Sequence, residues 1–242
     1  MRKLLSANLH RLWANKPFWI TIFFMSFAEG LLALLLAKQG SLPIDFILFL
    51  SLQGIGILTS IFYSVFLGTE YSDGTIRNKL IVGHKRNSIY LASFFTGIIA
   101  VTIIYLSGVL TGIIIGVFLC APPNHSIGQI ALAGMIGWLA CVSYIAIFNL
   151  IGMLSSSKAR TSILCILTAF TLVFAGLLLY ALMQSIQSAT LLFLFEFSPF
   201  GQTIKTMPID IDAPWKLAAY ALILSSILTG IGLSVFSKKD LK

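Results

Sequence analysis

At 242 residues, with 58% hydrophobic residues, 10% charged residues and a mean hydropathy of +0.97, the chain is too apolar for a soluble domain and reads as a polytopic membrane protein. The formal charge of +8 does not point to nucleic acid, because in such a chain the basic residues must first be sorted by side of the membrane. Cys120, Cys141 and Cys165 are odd in number and lack a CxxC spacing, which argues against a disulfide framework or a metal site.

Residues 2–15 place Leu5, Leu9, Leu12 and Trp13 on one helical face, with Lys3, His10 and Arg11 elsewhere. This is the pattern of an amphipathic helix lying on the inner membrane surface. Pro17 ends it, and Phe18 and Trp19 stand where an aromatic belt is expected. Six apolar runs follow, at 18–37, 46–68, 89–119, 128–154, 162–183 and 216–236. Each is able to cross about 30 Å of hydrocarbon at about 1.5 Å per residue. The first run is too long for the core of a cleaved signal peptide and reads as a retained span.

With the N-terminus in the cytoplasm, Arg2, Lys3, Arg11, Lys16, Arg77, Lys79, Lys85, Arg86, Lys158, Arg160, Lys238, Lys239 and Lys242 lie inside. Only Lys38, Lys205 and Lys216 lie outside, and this asymmetry puts both termini in the cytoplasm. The expected fold is therefore all-α and polytopic, one domain over 1–242 with six transmembrane helices and an N-terminal interfacial helix. The long connection 184–215 holds the apolar run Ala189 to Phe197, too short to span, then Ser198, Pro199 and Gly201. It reads as re-entrant or interfacial short helices, with a plain outer loop as the alternative.

The segment Glu70 to Arg86, EYSDGTIRNKLIVGHKR, is the longest charged island between apolar runs. Asp73 suits an N-cap and Gly74 a turn; Thr75 to Val82 spans about two helical turns, with Arg77 and Lys79 directed outward and Gly83 as C-cap. It is either an ordinary positive-inside loop or a short helix on which a soluble partner acts.

Inside the membrane, Gly108, Gly112 and Gly116 in the third run and Ser226, Gly230 and Ser234 in the sixth permit close helix contact, within one chain or between two. Gln53, Gly56, Ser60, Tyr63 and Ser64 form a polar and small stripe on the second run, which suits helix packing or a substrate path. Glu29 is a carboxylate well within the first run, expected either to pair with a polar neighbour such as Gln53 or to serve transport.

No GxxxxGK[ST], HExxH or GxSxG occurs, and His10, His84 and His125 show no ligand spacing. The chain therefore has no nucleotide motif of its own, and no enzyme activity is expected. A membrane hydrolase or a sensor acting without an ATPase is the competing reading.

The start MRKLLSANLHRLWANKPFW, the segment FLGTEYSDGTIRNKLIVGHKRNSIYLA and the later SPFGQ resemble ABC-2 type transporter permeases, in particular the small permeases of bacterial peptide-antibiotic export and lantibiotic self-immunity. The resemblance implies a multi-pass permease in the cytoplasmic membrane of a bacterium. It implies export of a peptide antibiotic, bacteriocin or other amphipathic compound, driven by ATP and Mg held on two copies of a separate ABC ATPase subunit. A second permease chain, identical or similar, is implied as well. Residues 1–16 would be the connecting helix and 70–86 the coupling loop. Glu70, Asp73, Gly74, Thr75, Arg77, Lys79 and Arg86 would carry or support the ATPase contact. Glu29, Gln53, Ser60 and Tyr63 are candidates for the path. Phe195, Pro199, Phe200 and Gly201 are candidates for an outer gate in the 184–215 re-entrant segment.

Overall fold

The computed structural model describes residues 1–37, 42–155 and 157–239; Lys38 and Lys242, two of the charges sorted above, lie outside the described residues. Among these residues the chain is all-helical, with no strand. Its elements are α1 (Arg2–Trp13), α2 (Lys16–Ala37), α3 (Ile44–Ile47), a 3-10 turn (Leu50–Gly54), α4 (Ile55–Ser72), α5 (Thr75–Ile81), α6 (Arg86–Leu119), α7 (Ile127–Leu154), α8 (Lys158–Ser185), α9 (Ala189–Phe197), α10 (Pro199–Thr206) and α11 (Pro214–Lys238).

Six helical segments are long and apolar enough to cross a membrane: α2, the α3–α4 stretch, α6, α7, α8 and α11. With 34 residues, α6 is about 50 Å long, well beyond a hydrocarbon core of about 30 Å, so it tilts or projects. The bundle is built by α2 on α6, α4 on α7 and α8, and α11 on α7.

The second span is interrupted. Its apolar run leaves helical geometry at Leu48 and Phe49, and the following 3-10 turn frees backbone amides. One of them is taken by a side chain from the first span: Glu29 Oε2 accepts from Ser51 N at 2.8 Å. Gly108, Gly112 and Gly116 face this region. A Cβ on Gly108 would stand 3.0 Å from Met25 Cε, and one on Gly112 would stand 3.0 Å from Glu29 Oε1. The third-span glycine face is thus used within the chain. The sixth-span stripe differs, since Ser226, Gly230 and Ser234 are exposed and Gly230 has no neighbour within 4 Å of an added Cβ.

The first helix corrects an expectation. Leu4, Asn8 and Leu12 are buried and α1 packs on α6, while Leu5 and Leu9 are half-buried and Trp13 is exposed. The helix is docked on its own protein through a face that includes a polar residue, not through the Leu5, Leu9, Leu12 and Trp13 face as a whole.

The 184–215 connection forms two short helices with an elbow at Ser198. Ser198 Oγ accepts from Gly201 N at 3.0 Å, and Pro199 opens α10, where its missing N–H is no loss.

Candidate functional site

The charged island folds as a helix–turn–helix at one end of the bundle. The α4 helix runs on through Glu70 to Ser72, so Asp73 is its C-cap and not the N-cap of the next helix. The Asp73 carboxylate instead accepts from Ser72 Oγ at 3.0 Å. The chain reverses at Gly74, whose φ of +65° is a left-handed conformation that favours glycine. Thr75 then starts α5. This helix ends in a Schellman motif: Gly83, at φ +92°, donates to Leu80 O at 2.9 Å and His84 N donates to Lys79 O at 3.1 Å.

Glu70 is fully buried and is the centre of the site. Its Oε1 lies 2.6 Å from Arg11 Nη1 on α1 and 2.8 Å from Lys79 Nζ on α5. Arg11 also donates to Phe66 O at 3.1 Å and stacks 4.0 Å over the Phe66 ring, while Lys79 donates to Asn8 Oδ1 at 2.9 Å. One carboxylate therefore binds three helices through two cations. Lys79, expected to point outward, is turned inward with its side chain 12% exposed. The buried Asn8 thus gives the ammonium a second acceptor.

The opposite face of α5 is free. Ile76 is buried beneath the helix, whereas Arg77, Asn78, Ile81 and Val82 are exposed. Two aliphatic side chains flanked by a guanidinium thus project away from the bundle at 74% and 76% exposure for Ile81 and Val82.

A second cluster stands beside the first. The Tyr71 hydroxyl donates to Met153 O at the end of α7, and Lys239 Nζ reaches the same terminus through Met153 O at 3.3 Å, Leu154 O at 2.9 Å and Ser155 O at 3.4 Å. Arg86 donates to the Lys239 carbonyl. Burial pulls the Lys239 ammonium below the usual lysine range, and carbonyls at a helix C-terminus are suitable partners for it.

The path and gate candidates are packed. Glu29, Ser60 and Tyr63 are fully buried, and of the second-span stripe Gln53 alone is exposed. The Tyr63 hydroxyl lies 2.9 Å from Ser93 O and 3.0 Å from Asn149 Oδ1, and Ser60 donates to its own helix at Ile57 O. Glu29 does not pair with Gln53, whose amide donates to Met207 Sδ; the Ser51 amide has taken that place. Phe195, Pro199, Phe200 and Gly201 are buried in the elbow, where Gln202 donates to Glu196 O at 3.1 Å and Glu196 pairs with Lys216 at 2.7 Å.

Arg11, Asn8, Tyr71 and Lys239 were not singled out as site residues from the sequence. A basic residue in α1 facing the one acidic residue near the end of α4 was the available signal. No family model and no curated protein matches the chain.

Proposed function

We propose that this chain is the membrane subunit of an ATP-driven exporter of the ABC-2 type and that α5 receives the stroke of a separate ATPase. The observation that carries the reading is the Glu70 clamp. A short helix with an exposed Arg77, Ile81 and Val82 face is tied by buried ion pairs to the end of the second span and to α1. Force on α5 is then passed to α4 and α1 instead of being lost in a loose loop.

ATP and Mg are held by the partner, two copies of which close on nucleotide; this chain supplies the contact and the spans that move. Two such permeases enclose the path. Gln53 is the stripe residue we assign to its wall, with Glu29, Ser60 and Tyr63 fixing the shape of the spans behind it. The Phe195 to Gln202 elbow is assigned to the outer gate. The cargo is an amphipathic compound such as a peptide antibiotic or bacteriocin.

The test is purification from mild detergent. An ATP-hydrolysing subunit is expected to accompany the chain. Arg77→Glu combined with Val82→Asp is expected to weaken that association by about tenfold or more, which corresponds to about 1.4 kcal/mol, without unfolding the permease. A chain that purifies without an ATPase and cleaves peptide or lipid would establish the hydrolase reading instead.

A further inference from the structure

Between α6 and α7 runs an apolar groove of about 420 Å³ whose floor is Leu48 and Phe49, the residues at which the second span leaves helical geometry. Val109 and Ile113 form part of one wall, Ala131 and Trp138 part of the other. Each polar side chain in the lining is already engaged within the protein: Trp138 Nε1 donates to Thr102 Oγ1 at 2.8 Å, Thr102 Oγ1 donates to Ile98 O at 2.7 Å, and the Tyr105 hydroxyl donates to Gly134 O at 2.8 Å. Nothing in the groove seeks a charge or a hydrogen bond, so its occupant is hydrocarbon.

Length and position narrow the occupant further. The α6 wall runs from Thr102 to Ile113, about 16 Å of helix, close to the depth of about 15 Å of one leaflet. The groove opens on surface that is itself apolar, since its rim residues Leu106 and Met135 are 46% and 42% exposed on helices suited to span a membrane. It is thus continuous with the face the bilayer covers.

We propose that this groove holds one acyl chain of a bilayer phospholipid, in the leaflet remote from the Glu70 clamp. Because the chain leaves one hydrocarbon surrounding for another, the gain is close packing in a recess that loosely ordered lipid fills poorly. The proposal depends on the membrane-spanning character of the helices and not on the transport reading.

The experiment uses fluorescence quenching in mixed micelles. Trp13, Trp19 and Trp215 are exposed and are replaced by Phe, leaving Trp138 as reporter. A phosphatidylcholine brominated at mid-chain is expected to quench Trp138 saturably near one lipid per protein. A reporter outside the groove, Phe174→Trp in a Trp138→Phe background, lies as far along α8 from Lys158 as Thr102, the partner of Trp138, lies along α6 from Arg86, and is expected to show a linear rise. Ala131→Phe, at an exposed wall position, is expected to remove at least half of the saturable quenching. Native mass spectrometry of the unaltered protein provides a second measurement, with one retained phospholipid expected and its loss in the Ala131→Phe variant. Linear quenching at both reporters, or saturation by a brominated free fatty acid but not by the phospholipid, would overturn the assignment.

Discussion

Glu70 illustrates how a buried charge becomes useful at the residue scale. A carboxylate with no exposed surface is unfavourable unless cations and hydrogen bonds replace its water, and here Arg11 and Lys79 both converge on one oxygen. Removing the centre leaves two cations facing each other, while removing Lys79 leaves the Arg11 pair intact. Glu70→Ala is therefore expected to lower unfolding stability by about 3 kcal/mol, and Lys79→Met by about 1 kcal/mol. Detergent-titrated unfolding of the purified protein measures both; equal losses would show that the carboxylate is not the centre of the clamp. The sequence marked Glu70 through its place in the charged island. Its partner Arg11 lies 59 residues earlier, a pairing that no local pattern encodes, and Asn8 looked like an ordinary polar residue until the Lys79 ammonium was seen beside it.

At the scale of elements, α5 shows which parts of a fold are legible locally. Gly74 and Gly83 bracket it at positive φ, and a Cβ at either position would meet nothing within 4 Å. Only backbone strain then opposes a side chain, so Gly74→Ala and Gly83→Ala are each expected to lose about 1 kcal/mol. Gly230→Ala, in an ordinary helical stretch with the same open space, is expected to be neutral or to gain up to about 1 kcal/mol. Thermal midpoints of the three variants decide the matter, and a Gly83→Ala protein as stable as Gly230→Ala would remove the argument. Turn chemistry of this kind is written in a few adjacent residues, as are apolar runs long enough to span. The interruption of the second span is not, because no proline or charge marks Leu48 and Phe49; it is settled by Glu29 reaching across from another helix to the Ser51 amide. The face of α1 escaped for a related reason, since its buried stripe contains Asn8 and so departs from a purely apolar pattern.

Across the whole molecule, the two ends of the bundle are built differently. At one end the start of the chain, the charged island, the end of α7 and the segment after α11 meet through Arg11, Glu70, Tyr71, Arg86 and Lys239. At the other, Asp45 accepts from the Asn124 and His125 amides at 3.0 Å each, and Glu196 pairs with Lys216. The first network joins the residues on which the proposed ATPase contact depends to helices it does not touch. Tyr71 and Lys239 share an acceptor, Met153 O, and the Lys239 ammonium also lies 5.1 Å from the Tyr71 ring. Because the two side chains also touch each other, either single replacement removes their mutual contact as well, so the two losses should not add. Tyr71→Phe and Lys239→Met are each expected to cost about 1 kcal/mol. The double variant is expected to fall short of the sum by about 0.5 kcal/mol or more, as groups in one hydrogen-bond network do. A double-mutant cycle on detergent-solubilised protein measures the difference, and strict additivity would mean that α4 and α11 hold the end of α7 independently.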